Sequence, residues 1–566
     1  MIWKFQSPAQ IRVERLTKSL EISPTLARIL INRGIIRADS ARYFLQALPS
    51  QMPDPFLMAD MDNAVERLSR SFREREKIFI FGDYDVDGVT SIAVLSILLE
   101  AAGVPFQAHQ PNRLREGYGL NEASVDLARK AGAGLLIALD CGTEAYRAVA
   151  RAIASGLDVI VIDHHKQRGE LPPALAVLNP NRDDCPYPFK ELAAVGVAFK
   201  FLQAGEQVWQ TPLPWERLWQ LAALGTVADV APLVGENRIL VKTGLRYLRR
   251  NRDPVFRALV NSARLDPEKL SAHHLSFQLA PRLNAAGRMG IPEIGRNLLT
   301  ARSPDEMRRL ATRLNILNRN RQSIQAEIIK EVEEKIRDRP EKYLGSVIVV
   351  EGKGWNKGIV GIVASKIQEK HYRPTVIIAL EGDVGVGSAR SIPGFDLFSA
   401  ISRCGHLLEK FGGHKYAAGI TIKKNLIDRF RDCLTEVAAE TLSDELLQPR
   451  LMIDAELNLS EAGFELLEEL EQLEPFGLGN PRPVFFSSGL TLRGAPRIMG
   501  KRENHLKVWL QNDNSCRESV GWEMAPRLAE LGSQPLDVAY QLKVNEFRNR
   551  RRLQMVLKDF RPAENG

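Results

Sequence analysis

The chain has 566 residues, of which 44% are hydrophobic and 26% are charged, proportions typical of an ordinary soluble protein with several domains. Its net charge of +8 favours an anionic partner such as nucleic acid. No stretch is apolar enough to cross a membrane, and the opening sequence MIWKFQSPAQIRVERL lacks the apolar core of a signal peptide. The five cysteines are scattered without a Cys-x-x-Cys pair, which argues against a disulfide framework or a structural zinc site and leads us to expect a cytoplasmic protein.

Residues 1–70 are predicted to be helical and carry no evident chemistry, whereas residues 71–250 alternate strand-like and helical stretches. That alternation predicts βαβ units and a parallel sheet. Three of the strand-like runs end in an aspartate: IFIF before Asp83, LLIAL before Asp140 and VIVI before Asp163. Because ligands of open α/β sheets bind beyond the carboxyl ends of the strands, we expect these three acidic strand ends to face one crevice.

The segment GDYDVDG places Asp83, Asp85 and Asp87 at alternate positions, where their negative charges repel one another unless a cation lies nearby. The segment does not fit a calcium-binding loop of the EF-hand type. The last position of such a loop would fall on Val94 and not on a glutamate, and the residues before Asp83 predict a strand where an EF-hand has a helix. On this segment alone, a solvated acidic turn and a metal site are equally good interpretations. The convergence of acidic strand ends favours the metal site.

Two further segments supply side chains of the same kind. The segment VIDHHK adds His164 and His165 after Asp163, and LAALGTVADVAPL adds Asp229, for which a structural helix cap is the alternative interpretation. A mixture of carboxylates and imidazoles suits Mn²⁺, whereas Mg²⁺ prefers oxygen ligands alone. A carboxylate shared by two ions is typical of two-metal phosphoryl-transfer sites, and Asp140 is our candidate for that position.

The remaining chain is predicted to form further parts. Residues 251–340 include a long connecting helix that begins at a capping box of Ser303 and Glu306 and ends before Pro340. Residues 341–448 repeat the α/β pattern, with the strand-like runs SVIVV and TVIIAL. We expect a second α/β domain here, spaced from the first by the helix.

Residues 449–566 contain short strand-like pieces separated by turns, which predicts a small β-barrel. Lysines and arginines alternate there with Trp509, Phe547 and Phe560. This pattern suits a groove that stacks bases and follows phosphates, although basic strand faces are also common without any ligand.

The motifs GDYDVDG, ALDCGT, DHH and GTVADVAPL occur in the order and spacing of the DHH phosphoesterase superfamily, which the chain resembles. Within it, the segments PRLNAAGRMG, GWNKGIVGIVASKI and FGGHKYAAG resemble the RecJ family of bacterial single-strand-specific DNA exonucleases. The resemblance implies a multidomain α/β fold: a DHH parallel-sheet domain and a DHHA1 α/β domain joined by a long helix, followed by a C-terminal OB-like β-barrel.

The resemblance also implies two Mn²⁺ or Mg²⁺ ions and a set of residues around them. His165 would lie against the scissile phosphate and Asp163 would orient the histidines. The first ion would be bound by Asp85 and Asp140, with Asp83 as a further candidate, and the second by Asp87, Asp140, His164 and Asp229.

Substrate contacts are expected from cationic side chains and from backbone donors beside glycine. A solvated surface charge is the alternative for each isolated arginine, and a tight turn is the alternative for the GGH segment. Asn356 departs from the family, which often has histidine there, so a direct role for this position is in doubt. The candidates are Arg113, Arg282, Asn284, Arg288, Ser388, Arg390, Gly413 and His414.

The function implied by the resemblance is 5′→3′ hydrolysis of single-stranded DNA to 5′-mononucleotides in recombination and repair. The implied partners are single-stranded DNA, a single-strand-binding protein and a helicase, and we expect a monomer. One alternative is a smaller-substrate phosphodiesterase acting on short oligonucleotides, cyclic dinucleotides or pyrophosphate. Another is a catalytically inactive nucleic-acid-binding scaffold, which the full set of acidic residues and histidine disfavours.

Overall fold

The computed structural model describes residues 1–112, 117, 119–532, 534–547 and 550–563. The candidate Arg113 and the side chain of Phe547 therefore lie outside the described residues. The described chain divides into two compact units. The first comprises Met1–Met52, Pro232–Lys242 and Arg450–Gly566, and the second comprises Pro53–Ala231 and Thr243–Pro449.

The N-terminal part of the first unit is a short strand followed by three helices. Ser23 begins the second of these helices, since its side chain accepts a hydrogen bond from Leu26 N (3.1 Å) and Pro24 occupies the first helical turn. The elements are β1 (Ile2–Phe5), α1 (Gln10–Leu20), α2 (Pro24–Asn32) and α3 (Ala38–Gln46).

The second unit opens with the parallel sheet that the alternating pattern predicted. Its five strands run in the order β3-β2-β4-β5-β6, and every neighbouring pair is parallel. Strands β2, β4 and β5 are apolar on both faces because helices cover both sides. The elements are α4 (Met61–Glu74), β2 (Ile78–Gly82), α5 (Val86–Ala101), β3 (Phe106–His109), α6 (Glu122–Lys130), β4 (Leu135–Leu139), α7 (Tyr146–Ala154), β5 (Asp158–Ile162), β6 (Ala176–Leu178), α8 (Ala194–Trp209) and α9 (Trp215–Ala228).

A helical region follows and ends in the long helix. Helix α15 has 35 residues, begins at the Ser303 cap and ends at Asp338, and buries one apolar stripe that includes Leu314 and Val332. One π-helical turn, Leu275–Leu279, lies between α12 and α13. The helices are α10 (Gly235–Arg250), α11 (Pro254–Ser262), α12 (Ala272–His274), α13 (Ala280–Arg288), α14 (Glu293–Leu299), α15 (Pro304–Asp338) and α16 (Pro340–Tyr343).

A second, mixed sheet completes this unit, in the order β10-β11-β9-β8-β7, with only β7 and β8 parallel. Strand β10 is at its edge. The elements are β7 (Ile348–Lys353), α17 (Val360–His371), β8 (Thr375–Glu381), β9 (Val384–Arg390), α18 (Leu397–Arg403), β10 (Lys410–His414), β11 (Ala417–Lys423) and α19 (Ile427–Ala439). A disulfide joins Cys404, at the end of α18, to Cys433 on α19. The spacing of 29 residues between them gives no sequence signal, because helix packing alone brings them together.

The C-terminal residues of the first unit form a closed barrel. Strands β14, β18, β19, β17 and β16 pair in turn, and pairing of β14 with β16 closes the ring. The elements are β12 (Arg450–Ile453), β13 (Ala455–Glu456), α20 (Phe464–Glu471), β14 (Phe485–Leu492), β15 (Arg497–Met499), β16 (His505–Gln511), β17 (Cys516–Gly521), β18 (Leu536–Phe547) and β19 (Arg550–Pro562). The first strand, β1, pairs in parallel with β12. None of the helices in the described part of the chain combines the length and apolarity that a bilayer crossing requires.

Candidate metal centre and substrate cleft

Three buried carboxylates follow three adjacent parallel strands. Asp83 comes after β2, Asp140 after β4 and Asp163 after β5, and β4 lies between the other two strands in the sheet. Each of these three residues is at most 3% exposed. The sheet topology therefore gathers these carboxylates at one edge, as the strand-end pattern predicted.

The GDYDVDG segment is a tight turn that leads directly into α5. Asp85 is the helix N-cap, and its Oδ1 accepts hydrogen bonds from Asp87 N (2.9 Å) and Gly88 N (3.2 Å). Gly88 is required by close approach of the backbone, because a Cβ there would lie 2.4 Å from the Asp83 carbonyl oxygen. This turn holds Asp83, Asp85 and Asp87 at one helix start.

We expect Gly88→Ala to lower the free energy of unfolding by about 1–3 kcal/mol, the usual cost of overpacking, because the Asp83 backbone must move. Displacement of Asp83 and Asp85 should also weaken Mn²⁺ binding. Thermal melts with and without Mn²⁺ measure both effects. Gly295→Ala on α14 is the matched control, since a Cβ there would lie at an ordinary distance of 3.6 Å from its nearest neighbouring atom. Equal melting temperatures of the two variants, with and without Mn²⁺, would contradict the prediction.

Asp87 joins this turn to the start of α8. Its Oδ2 accepts from Ala194 N (2.7 Å) and its Oδ1 accepts from Val195 N (2.8 Å). Each carboxylate oxygen has a second lone pair, so these bonds leave Asp87 able to bind a cation. They fix the direction of that carboxylate.

His164 lies at the centre of the carboxylates. Its Nε2 is 3.4 Å from Asp140 Oδ1 and 3.9 Å from Asp87 Oδ2, and its Nδ1 is 3.8 Å from Asp229 Oδ2. In three groups the ligand atoms lie within 4.8 Å of one another: Asp83, Asp85 and Asp140; Asp87, His164 and Asp229; and Asp140, His164 and His165. Asp140 and His164 each belong to two of these groups, so neighbouring groups share a side chain, as they would in a site that holds more than one ion.

The negative charges of the clustered carboxylates are unfavourable without a nearby cation, as the raised pKa values of three of them indicate. Burial, followed by the charge of Asp85, raises the pKa of Asp87 to about 7. Burial and the neighbouring carboxylates raise the pKa of Asp229 to about 9 and that of Asp140 well above its usual value. Among the described residues, no lysine or arginine forms an ion pair with Asp87, Asp140 or Asp229. Divalent cations would relieve this repulsion, so the residues fit such ions.

The two histidines differ in charge. Burial, followed by the charge of His165, lowers the pKa of His164 to about 4, which leaves the neutral imidazole that a metal ion binds. Burial also lowers the pKa of His165, but the hydrogen bond and charge of Asp163 outweigh it and raise that pKa to about 9. The bond joins His165 Nδ1 to Asp163 Oδ1 at 2.7 Å. His165 is therefore a cation at neutral pH.

Two asparagines that were not among the predicted site residues hold both histidines in place. Asn179 Nδ2 donates to the carbonyl oxygen of His165 (2.8 Å), and Asn181 Nδ2 donates to that of His164 (2.7 Å). Thr143 N donates to Asp163 Oδ2 (3.0 Å) from the loop after β4. Only its position could have indicated Asn179 in the sequence, because this residue directly follows β6, the strand next to β5 in the same sheet.

A cleft of about 1180 Å³ opens beside the cluster and is lined by residues of both sheets. The predicted substrate residues Ser388, Arg390, Gly413 and His414 line it together with Asp85, Asp163 and His165. Arg390 Nη1 donates to Ser388 Oγ (3.1 Å). Four further cations also line the cleft: Lys166, Arg168, Lys357 and Lys410. Such a lining suits an anionic chain.

The candidates on α13 lie elsewhere. Arg282, Asn284 and Arg288 are described residues that do not contribute to the cleft lining. Arg288 Nη1 instead donates to the Gly358 carbonyl (3.0 Å). Asn356 has a structural contact at the start of α17, because its Oδ1 accepts from Gly358 N (2.8 Å).

Sequence-family models match three parts of the chain: "DHH family, N-terminal domain" at residues 77–226, "DHHA1 domain" at 343–440 and "RecJ OB domain" at 453–559. The single-stranded-DNA-specific exonuclease RecJ of Bacillus subtilis is 37% identical over 100% of this chain and 71% of its own length. The crystal structure of RecJ from Thermus thermophilus in complex with Mn²⁺ has a TM-score of 0.84 and 28% sequence identity, and the match covers 100% of this chain and 80% of that one. The structure in complex with Mg²⁺ has a TM-score of 0.79 and 27% identity, and the match covers 100% of this chain and 79% of that one. These matches agree with the acidic cluster, the cleft and the barrel, and they show that the chain belongs to the RecJ family.

Proposed function

We propose that the chain is a metal-dependent exonuclease that degrades single-stranded DNA from its 5′ end and releases 5′-mononucleotides. One observation carries the proposal: Asp85, Asp163 and His165, which belong to or adjoin the acidic cluster, line a cleft together with lysines and arginines. The relatives named above are single-stranded-DNA-specific exonucleases, which supports the choice of polymer. The C-terminal barrel supports it as well, because a substrate of one or two nucleotides has no need of an added nucleic-acid-binding domain.

The acidic cluster would hold two Mn²⁺ or Mg²⁺ ions. When bound, these ions lower the pKa of a water molecule and offset negative charge on the phosphate. One ion would be bound by Asp85 and Asp140, with Asp83 beside them, and the other by Asp87, Asp140, His164 and Asp229.

His165 would act directly on the phosphate. Its imidazolium can donate a hydrogen bond to a phosphate oxygen and stabilise the charge that develops there. Asp163 would keep the ring in place and protonated through the 2.7 Å bond to Nδ1, which leaves Nε2–H as the donor. Asn179 supports the same loop through the His165 carbonyl.

The other wall of the active site would bind the strand. Ser388 and Arg390 offer a hydroxyl and a guanidinium to a phosphate, and Gly413 and His414 offer a close backbone approach and an imidazole. Arg282, Asn284 and Arg288 would contact the strand beyond the cleft. Selectivity for single strands would be steric, with the cleft admitting one strand and excluding a duplex. From family membership we also propose that the protein works as a cytoplasmic monomer in recombination and repair, with a single-strand-binding protein and a helicase.

Digestion of long oligonucleotides labelled at either end tests the proposal. With Mn²⁺, a 5′-labelled single strand should release its label first as a mononucleotide, whereas a 3′-labelled strand should shorten progressively. EDTA should abolish both reactions, because the carboxylates alone cannot activate water. Blunt duplex and circular single-stranded DNA are the controls and should stay intact. Faster cleavage of pyrophosphate or of a dinucleotide than of the long strand would overturn the proposal in favour of a small-molecule phosphodiesterase.

A further inference from the structure

The single disulfide in the described part of the chain joins two helices that pack on the second sheet. The Cα atoms of Cys404 and Cys433 are 6.2 Å apart, within the usual range of about 4.4–6.8 Å for such a bond. The other three cysteines, Cys141, Cys185 and Cys516, are free. Disulfides are rare in a reducing cytoplasm, and those that occur there are usually transient bonds that respond to the redox state.

The two cysteines of the bond differ in exposure. Cys404 directly follows α18 and is fully buried (0% exposed), whereas Cys433, on α19, is partly exposed. Both contact the same apolar cluster. An oxidant in the solvent therefore reaches Cys433 first, and Cys404 is the neighbouring thiol that can complete the bond.

The packing of α18 against α19 does not depend on the disulfide alone. Arg403, the residue before Cys404, donates from Nη1 to Glu440 Oε2 (2.6 Å) and from Nη2 to Glu440 Oε1 (2.9 Å). Ile401 on α18 and Leu434 on α19 belong to one buried cluster, and burial of such side chains also holds the helices together. The reduced thiols therefore stay close enough for the bond to form and break reversibly.

Cys404 lies directly before one wall of the substrate cleft. Residues 405–409 lead from it into β10, and all five residues of that strand line the cleft. A Cβ added at Gly405, the next residue, would lie 2.9 Å from the ring of Phe411 in β10. The centroid of that ring is 6.1 Å from the ring centroid of Phe398 on α18. A shift at the end of α18 therefore displaces β10.

Strand β10 depends on this support because it is the edge strand of its sheet. It pairs with β11 on one side only, and four of its five residues are exposed. It carries Gly413 and His414, which we propose to bind the DNA strand. Arg168, on the loop after β5, contacts His414 Nδ1 from the opposite wall of the cleft. The distance between the two walls thus depends on how firmly β10 is held.

We propose that Cys404 and Cys433 form a redox modification site, in which a peroxide oxidises the thiol pair to the disulfide and thereby fixes β10 in the position that binds the DNA strand. The inference rests on the proposed function, in which this cleft holds the substrate. It adds a response of substrate affinity to oxidants and leaves the acidic cluster unchanged.

The reaction balances with hydrogen peroxide as the oxidant. The Cys433 sulfur attacks one peroxide oxygen, the O–O bond breaks, and a sulfenic acid and one water result. The Cys404 sulfur then attacks the Cys433 sulfur, and the displaced hydroxide leaves with the Cys404 proton as a second water. The two thiols lose two electrons, which the peroxide gains. A dithiol reductant reverses the bond by exchange at the accessible Cys433 sulfur, which releases the Cys404 thiol.

Thiol counting on the full chain tests the modification. Protein that has been reduced, desalted and then unfolded should react with a thiol reagent at all five cysteines. Native protein treated briefly with hydrogen peroxide before unfolding should react at the three free cysteines only. The oxidised protein should also melt about 5 °C or more above the reduced protein, because the bond links residues 29 apart in the sequence. A second reduction should restore both values.

Steady-state cleavage of a long oligo(dT) with Mn²⁺ tests the link to the cleft. We expect KM to be about five- to tenfold lower for the oxidised protein, since the bound strand no longer has to order β10. The value of kcat should be unchanged, because the acidic cluster lies on the other sheet. Cys433→Ser should have the KM of the reduced protein under both conditions. Cys516→Ser, which removes a partly exposed free thiol on β17, is the control and should keep the full response.

The outcomes separate this inference from the proposed function. If peroxide leaves five reactive thiols, or if KM is the same in the oxidised and reduced wild type, the inference is overturned while the nuclease assignment stands. Loss of the response in Cys516→Ser would also overturn it, since another thiol would then be responsible. If the protein cleaves DNA in neither redox state, the proposed function fails even where the thiol counts change as expected.

Discussion

Asp140→Asn is expected to abolish cleavage of single-stranded DNA in the presence of Mn²⁺, with a loss of about 10³-fold or more. The change removes a ligand from both ions of the proposed pair, and metal ions stabilise the transition-state charge by several kcal/mol. Binding of a long single strand in EDTA should stay within about twofold of the wild type, since the cations of the cleft and barrel are unchanged.

Asparagine is the informative replacement at this position. Asp140 has a φ of +60°, a left-handed conformation that asparagine tolerates far better than alanine. The raised pKa of Asp140 means that its ionised form destabilises the metal-free fold at neutral pH. Metal-free Asp140→Asn should therefore melt at a higher temperature than metal-free wild type, and Mn²⁺ should no longer raise its melting temperature. Retained cleavage, or an unchanged stabilisation by Mn²⁺, would rule out Asp140 as the shared ligand.

His165→Gln is expected to lower kcat by about 10²- to 10³-fold, the usual loss when a donor that stabilises transition-state charge is removed. Glutamine keeps a hydrogen-bond donor but loses the positive charge that Asp163 stabilises on the imidazole. KM for the long strand should change little, because most of its phosphates bind elsewhere.

The pH dependence distinguishes a charged role of His165 from a structural one. Because the pKa of His165 is raised to about 9, the imidazolium is present below that pH and is lost as the pH rises through it. Wild-type kcat should therefore fall on the alkaline side, and the residual activity of His165→Gln should lack this decline. An identical alkaline decline in the two proteins would assign it to another group and remove His165 from the reaction.

The catalytic sheet was predictable because its signal is local. The runs before Asp83, Asp140 and Asp163 are apolar at every position, and parallel strands must end on the same side of their sheet. The long helix was predictable for a similar reason, since the Ser303 cap and an apolar stripe mark it in the sequence.

Features that depend on distant parts of the chain were not predictable from these patterns. The parallel pairing of β1 with β12 joins Ile2 to Arg450, residues that are far apart in the sequence. The segment Pro232–Lys242 belongs to the same unit as the barrel although it follows Asp229 by only a few residues. Arg238, in that segment, is buried and donates to the carbonyl oxygens of Phe44 (2.6 Å) and Leu473 (2.8 Å). Neither hydrophobic periodicity nor a sequence motif predicts contacts of this kind.

Within the site, the aspartates and histidines of the acidic cluster were easier to predict than the side chains that support them. Aspartates and paired histidines stand out at strand ends, whereas Asn179 and Asn181 look like ordinary turn residues. The cations Arg168 and Lys410 were indistinguishable in the sequence from solvated surface charges, and only the fold brings them to the cleft.

Anomalous diffraction from crystals soaked in Mn²⁺ tests the central claim most directly. We predict two manganese peaks about 3.5–4 Å apart, both within about 2.0–2.6 Å of the Asp140 carboxylate. One should also contact Asp85, and the other should contact His164 and Asp229. Absence of manganese from this cluster, or a single ion that does not touch Asp140, would contradict the two-ion account.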